Sequence, residues 1–370
     1  MSTHPHPVRV GLIGFGFAGR TFHAPLLRST PGLHLVAVAS SQPALVHHQL
    51  GAHTAVWANP EALIASPDID LVVLASPNDS HFALAQAALQ AHKAVVVDKP
   101  FTLNASEAQV LVQLAESRRL FLSVFHNRRW DGDFLTLQAL LAQGTLGRVV
   151  RMASHFDRFR PQVRPRWREA AGPGGGLWID LAPHLLDQAL QCFGPPAALY
   201  ADIATLRDGA EADDWFACEL RYDSGLRVHL SASTLAAHAG PRFVVHGSRG
   251  SYRKWGLDAQ EDALRAGLNP DPAQPEAWGV DAQAGELSLA VDPSQPDARQ
   301  TLAWPTLRGD YPQYYAAVVA ALQGRGPHPV PPRQALAVMH LLDLGRESAR
   351  RRVELACPAV LCSGPTLGDP

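Results

Sequence analysis

The feature that most constrains this chain lies at its start. An apolar run, Val8 to Ile13, breaks into Gly14-Phe15-Gly16-Phe17-Ala18-Gly19. A strand that feeds G-x-G-x-x-G and then a helix cradles a dinucleotide pyrophosphate. Gly14 permits the tight turn, Gly16 lets the backbone approach phosphate, and Gly19 lets the helix pack close to the strand. The new helix turns its N–H groups and positive dipole end to the anion. Gly14, Gly16, Phe17, Ala18 and Gly19 are therefore candidate cofactor contacts. Glycines also mark ordinary turns. What singles out this run is its context, with a strand on one side and a helical pattern on the other.

The first third of the chain continues in the same texture. Short apolar strands at 8–14, 34–40, 71–76, 94–98 and 121–126 alternate with helical patterns at Ala18–Ser29, Ser80–Ala91 and Ala105–Arg118. Such alternation predicts a parallel, doubly wound α/β sheet. After about residue 145 the period becomes two. Leu226, Val228, Leu230 and Ala232 fall on one face of a strand, and Arg227, His229, Ser231 and Ser233 on the other. That predicts an antiparallel sheet with one more polar face. The domain cut is placed near 125, giving 1–125 and 126–356. Residues 268–300, rich in Pro, Asp and Gln, read as a long loop, and 357–370 as a frayed tail.

Composition narrows the function classes. A length of 370 residues, with 46% hydrophobic and 18% charged residues, describes a soluble globular protein. A net charge of −2 gives no drive towards nucleic acid or membranes. Four cysteines, Cys192, Cys218, Cys357 and Cys362, form no C-x-x-C pair and no disulfide framework. The longest apolar runs, such as Leu71 to Ala75, are strand-sized. With the first strand starting at Val8, a signal peptide has no room. A cytoplasmic enzyme is expected, without metal, nucleic-acid or membrane partners.

In a doubly wound sheet, ligands collect at the carboxyl ends of the strands. Three segments lie there: Ser76-Pro77-Asn78-Asp79-Ser80-His81, Asp98-Lys99-Pro100 and Asn127-Arg128-Arg129. They add Pro77, Asn78, His81, Asp98 and Lys99 to the cofactor candidates. A lysine at such an end is a compact cation that can polarise a substrate oxygen. It can equally be a solvated loop lysine beside a proline. A second constellation is Gly174-Gly175-Gly176 followed by a helical pattern from Trp178 to Phe193. Asp180 and His184 are four apart and share a helix face, with Asp187 three further on. A histidine beside a carboxylate suits proton transfer near neutral pH, and an incidental pair on a polar face reads the same way. The Asp/His set lacks a third ligand at zinc spacing. The basic run Arg158 to Arg168, with its aromatics, has the look of a nucleic-acid patch, but the acidic net charge argues against it. Trp167 and a neighbouring arginine fit the border of an active site. His4, His6, His47 and His48 read as surface, and Trp178 and the helix Ala335 to Leu344 as core.

Together these segments resemble the glucose–fructose oxidoreductase/inositol dehydrogenase (Gfo/Idh/MocA) family. The shared motifs are G-F-G-F-A-G, S-P-N-x-x-H, D-K-P (usually E-K-P) and G-G-G-x-x-x-D-x-x-x-H, in family order and spacing. Arg20 to Pro25, His126 to Trp130, His155 to Pro161 and Gly256 to Asp262 resemble its NADP-dependent scyllo-inositol dehydrogenase-like branch. The resemblance runs from about residue 8 to 355. It implies an N-terminal Rossmann domain and a C-terminal α+β domain with a large open, mainly antiparallel sheet. That sheet's face forms the interface of a homodimer or homotetramer. It also makes Lys99, Asp180 and His184 the catalytic group. Asp98 departs from the family's glutamate, keeping the charge with a shorter reach.

The expected function is hydride transfer between a nicotinamide cofactor and a carbinol or ketone of an inositol-like polyol or sugar. Asn127, Arg128, Asp157 and Trp167 are candidate substrate-lining residues. Two alternatives use the same fold: a nucleotide-sensing regulator without chemistry, and a reductase of a non-sugar substrate. An NAD-specific domain places Asp or Glu about 20 residues after the glycine loop. Here the second strand ends in Ser40-Ser41-Gln42, and no acidic residue precedes Glu61. Ser40 and Ser41 are thus candidate contacts to a 2′-phosphate, and NADP(H) is expected over NAD(H).

Overall fold

The computed structural model describes residues 7–172, 174–238, 240–291 and 298–358. The chain folds into two compact units. Of the described residues, the first holds those from 7 to 130 together with Ala259–Gly279 and Asp310–Leu336. The second holds Asp131–Asp258, Val280–Gly309 and those from 337 to 358.

The first unit is built on six strands: β1 (Val8–Ile13), β2 (Leu33–Ala39), β3 (Ala55–Trp57), β4 (Leu71–Leu74), β5 (Ala94–Asp98) and β6 (Leu122–Phe125). They lie in the order β3-β2-β1-β4-β5-β6, and every pair is parallel. This is the 3-2-1-4-5-6 order of a dinucleotide-binding sheet, with its crevice where the order reverses between β1 and β4. Val10, Leu12, Val72, Val73, Val95, Val96, Leu122 and Val124 are fully buried. Burial on both faces explains why these strands read as unbroken apolar runs. β3 escapes sequence patterning because it has three residues and is partly exposed.

Two downstream segments return to this unit, where the sequence pattern draws a single cut near 125. Composition cannot show such a return, but side-chain packing does. Tyr311, Tyr314 and Tyr315 are fully buried. Tyr314 meets Phe125 edge-on at 4.9 Å, and its hydroxyl donates to Ser123 Oγ at 3.1 Å.

Among the described residues the second unit carries nine strands: β7 (Val149–His155), β8 (Ala198–Ala204), β9 (Trp215–Arg221), β10 (Arg227–Ser233), β11 (Phe243–Gly247), β12 (Gly250–Lys254), β13 (Gly285–Ala290), β14 (Arg299–Trp304) and β15 (Leu355–Ala356). Their order is β14-β13-β12-β11-β7-β10-β9-β8-β15. Only β7 and β10 pair in parallel. β9 and β10 alternate strictly between buried and half-buried residues. Val228, Leu230, Ala232 and Phe216 face inward, and helix Leu177–Phe193 packs on these two strands. Trp178 is core, 1% exposed, with its indole N–H on the Leu342 carbonyl. The outward face carries Arg227, His229, Ser231, Ser233, Ala217 and Glu219.

Part of the loop expected at 268–300 is sheet: β13 and the start of β14 fall inside it, and β13 is stitched between β12 and β14. Glu286 and Ser288 interrupt the apolar residues of β13, and the edge strand β14 is largely exposed, so neither reads as a buried strand. The tail expected at 357–370 lies outside the described residues from 359 onward. The Cys357 N–H bonds the Ala197 carbonyl. His4 and His6 also lie outside them. Among the described residues no helix is long and apolar enough to cross a membrane.

Candidate active site

In the first unit the carboxyl ends of β1 and β4 meet at the glycine loop. Gly14 takes φ of 96°, and a Cβ there would lie 2.6 Å from the backbone of Ala75 and Ser76. A Cβ on Gly19 would strike the Gly14 carbonyl oxygen at 2.1 Å. These two glycines are required by the protein's own packing. Gly16 is different: a Cβ there meets no atom within 4 Å. It faces open space at the start of the helical stretch, where a bound pyrophosphate needs close backbone approach. The loop therefore fits a dinucleotide. Phe17 is exposed and Ala18 half-buried. A five-residue π-turn, Gly19–His23, follows and passes into α-helix Ala24–Ser29.

Ser40 and Ser41 follow β2. Ser40 Oγ accepts the Gln42 N–H at 3.0 Å, which leaves its own O–H to donate, and Ser41 is exposed. Arg20 and Arg28 are exposed. Arg9 is committed at the opposite end of β1, to Asp70 at 2.9 Å and Asp68 at 3.1 Å.

Past β4, Asn78 is buried and Pro77 exposed. His81, expected among the cofactor contacts, is held by main chain of its own unit. Its ring is fully buried, with Nδ1 2.8 Å from the Pro100 carbonyl and Nε2 3.1 Å from the Ser76 carbonyl. It lies between the loop after β4 and the loop after β5, and the neutral ring donates its one N–H to one of the two carbonyls. Burial pushes its pKa down, against the pull of Asp98 and the two carbonyls. The Lys99–Pro100 peptide is cis.

Asp98 is also turned inward. Its Oδ1 accepts the Lys99 N–H at 2.8 Å and lies 3.7 Å from His23 Nε2. Burial pushes the carboxyl up, but His23, Lys99 and His81 together pull it down further, below the usual carboxylate value. His23 Nδ1 is hydrogen-bonded to the Tyr315 hydroxyl at 2.7 Å.

Asn127 and Arg128, beyond β6, are buried. Arg128, expected as a substrate contact, has its Nη2 2.5 Å from the Glu261 carboxylate.

In the second unit, helix Leu177–Phe193 carries Asp180 and His184 on one face. The glycine run before it is architectural. Gly176 takes φ of 96°, and a Cβ there would strike Asp213 Oδ1. That same carboxylate caps the helix by accepting the Trp178 N–H at 2.6 Å. His184 is buried and Asp180 half-buried. Arg168 stands 3.8 Å from Asp180 and stacks 4.5 Å over the Trp167 ring. Trp167, Arg168 and Asp180 are thus brought together. Two other arginines of that run are partnered within the protein. Arg166 pairs with Glu169, and Arg158 lies over Phe156. Asp157 is half-buried, and burial raises its pKa against His155 and Ser233.

The sheet order and an open Gly16 at its switch point define the first unit as a dinucleotide-binding Rossmann domain. Comparison with known proteins agrees. Residues 8–126 match the oxidoreductase family model for the NAD-binding Rossmann fold, and residues 134–253 match the GFO/IDH/MocA C-terminal domain. An uncharacterized oxidoreductase of Escherichia coli, YdgJ, is 51% identical over 94% of this chain and 98% of its own length. The scyllo-inositol 2-dehydrogenase (NADP(+)) IolW of Bacillus subtilis is 32% identical over 93% of this chain and 94% of its own. The solved structure of an oxidoreductase from Yersinia pestis superposes with a TM-score of 0.90 at 46% identity, covering 97% of this chain and 99% of that one. The chain belongs to the Gfo/Idh/MocA family of oxidoreductases.

Proposed function

We propose that the protein is an NADP(H)-preferring oxidoreductase acting on a carbinol or ketone of a polyol or sugar. The observation that carries this reading is the glycine loop. Gly14 and Gly19 are explained by packing, and Gly16 opens onto free space at the switch point of the sheet, where a pyrophosphate would approach the backbone. The bound nicotinamide would donate or accept the hydride. Gly16, Phe17 and Ala18 would hold the pyrophosphate, and Ser40 and Ser41 the 2′-phosphate.

In this reading the ammonium of Lys99 holds and polarises the reacting oxygen. His184 exchanges that oxygen's proton at its imidazole, and Asp180 orients His184 or binds a neighbouring hydroxyl. Asp157 and Trp167 contact substrate, and the sheet face of β7–β10 joins protomers into a homodimer or homotetramer. The polyol assignment is supported by the family and by the names of relatives such as the inositol dehydrogenases. A nucleotide sensor would need none of Lys99, Asp180 and His184, and all three are present. The test is a panel of polyols and keto-sugars assayed with both cofactors. Turnover of a polyol supports the proposal. Nucleotide binding without turnover of any member favours the sensor, or a substrate outside the sugars.

A further inference from the structure

We propose that Arg265 is an additional cofactor-binding residue, a guanidinium that grips the pyrophosphate of a dinucleotide seated on the glycine loop. The inference rests on the dinucleotide reading above.

Residues Ala259–Gly279 lie far downstream of the Rossmann strands, yet they belong to the first unit. Their anchor is Gln260, which is fully buried. Its side-chain N–H donates to the Trp130 carbonyl at 3.0 Å. Its carbonyl accepts from the Trp278 indole at 2.8 Å and from the Tyr311 N–H at 2.7 Å. So fixed, the short helix Gln260–Arg265 packs on the Gly19–His23 turn.

Glu261 on that helix serves two cations. Its Oε2 takes the short contact, 2.5 Å, from buried Arg128, and its Oε1 lies 3.6 Å from Arg265. Arg265 is therefore held loosely, its side chain 48% exposed. Its guanidinium carbon sits 5.8 Å from the centre of the Phe17 ring. Phe17 follows Gly16 in the loop, so this cation stands one side chain away from the N–H groups that would meet phosphate. The loop itself, Gly14 to Gly19, contains no charged residue. It offers an anion only N–H dipoles, and Arg265 would add a full charge with a forked donor suited to phosphate oxygens. A pyrophosphate would compete for Arg265 with a carboxylate already occupied by Arg128.

The test is titration of NADPH and of NADH into the full chain, followed by nicotinamide fluorescence, for wild type, Arg265→Gln and Arg265→Lys. Both cofactors share the pyrophosphate. Arg265→Gln should therefore weaken both by the same factor, about tenfold, the weight of one charge-assisted hydrogen bond. Arg265→Lys should fall between the two. Unchanged binding of both cofactors overturns the inference. So does a loss confined to NADPH, which would put Arg265 on the 2′-phosphate, and so does a lysine no better than glutamine. A wild type that binds neither cofactor is a separate outcome: it refutes the dinucleotide reading, and this inference falls with it.

Discussion

His23 and Asp98 face each other inside the Rossmann unit, the imidazole Nε2 3.7 Å from the carboxylate Oδ1. The same oxygen accepts the backbone N–H of Lys99. On the far side of the ring, the Tyr315 hydroxyl closes on Nδ1 at 2.7 Å. When that hydroxyl donates to Nδ1, the proton of the neutral ring sits on Nε2 and points at the carboxylate. A Tyr–His–Asp line thus underlies the strand end that carries Lys99. It is built partly from the downstream segment Asp310–Leu336.

Tyr315→Phe breaks this line with little change of volume. Both rings are fully buried, so His23 loses a partner that water cannot replace. The expected cost is about 1–3 kcal/mol of unfolding free energy, the penalty of a buried polar atom left unmade. Urea denaturation followed by circular dichroism measures it. A variant as stable as wild type would show that the hydroxyl contributes nothing.

His81 gives a pH dependence with a definite sign. Burial lowers its pKa below the ordinary 6.5. Between that lowered value and 6.5 the unfolded chain binds the proton and the folded one does not, so stability falls with acidification. The stabilisation is complete above about 6.5 and drains below it, at up to about 1.4 kcal/mol per pH unit. His155 and His229 are lowered in the same direction, so the share of His81 must be read by difference. His81→Gln should flatten the slope of stability against pH below about 6.5. A variant with the slope of wild type would place the acid sensitivity in the other histidines.

Lys99→Ala should lower turnover by roughly 100-fold or more, the scale of losing one electrostatic donor to the transition state. Cofactor binding should persist, because the glycine loop is untouched. His184→Asn should remove most of the rate, together with the rise of log kcat/KM with pH in alcohol oxidation. Near wild-type turnover in Lys99→Ala would make that lysine structural. An unchanged pH profile in His184→Asn would move the proton transfer elsewhere.

Much of this was legible in the sequence, for reasons that differ along the chain. The buried parallel strands and the glycine loop are local patterns, and helix Leu177–Phe193 was readable from Trp178 onward. Gly176 and Gly16 look alike in sequence. Only structure shows that one clears the Asp213 cap and the other faces open space. Pairings between distant residues carried no sequence signal. Glu261 with Arg128, Tyr315 with His23, and Arg168 with Asp180 depend on where separate segments land.

The outward face of β9 and β10 presents Arg227, His229, Ser231, Ala217 and Glu219, a mixed surface with small residues at its middle. If a second protomer covers it, Ala217→Arg should shift the assembly towards monomer by placing an unpaired charge in the interface. Light scattering at micromolar concentration reads the change. A wild type that is already monomeric there would refute the assembly.

Cofactor choice follows from what stands after β2. No Asp or Glu precedes Glu61, so no carboxylate of this stretch repels a 2′-phosphate or grips a ribose diol. Ser40 spends its oxygen lone pair on the Gln42 N–H and keeps its hydrogen to donate. Arg9 takes no part, being bound to Asp70 and Asp68, and Gln42 stands where an arginine would have held the phosphate bidentately. The expected preference for NADP(H) is therefore moderate. Ser40→Asp should reverse it. The new carboxylate can accept the same Gln42 N–H, as Asp does in an Asx-turn, so the loop keeps its shape while the charge repels phosphate and binds the diol. The measurement is kcat/KM, or binding affinity where no substrate is at hand, for both cofactors in wild type and variant. A wild type that prefers NAD(H) by tenfold would sink the assignment and place recognition of the adenosine ribose on other residues.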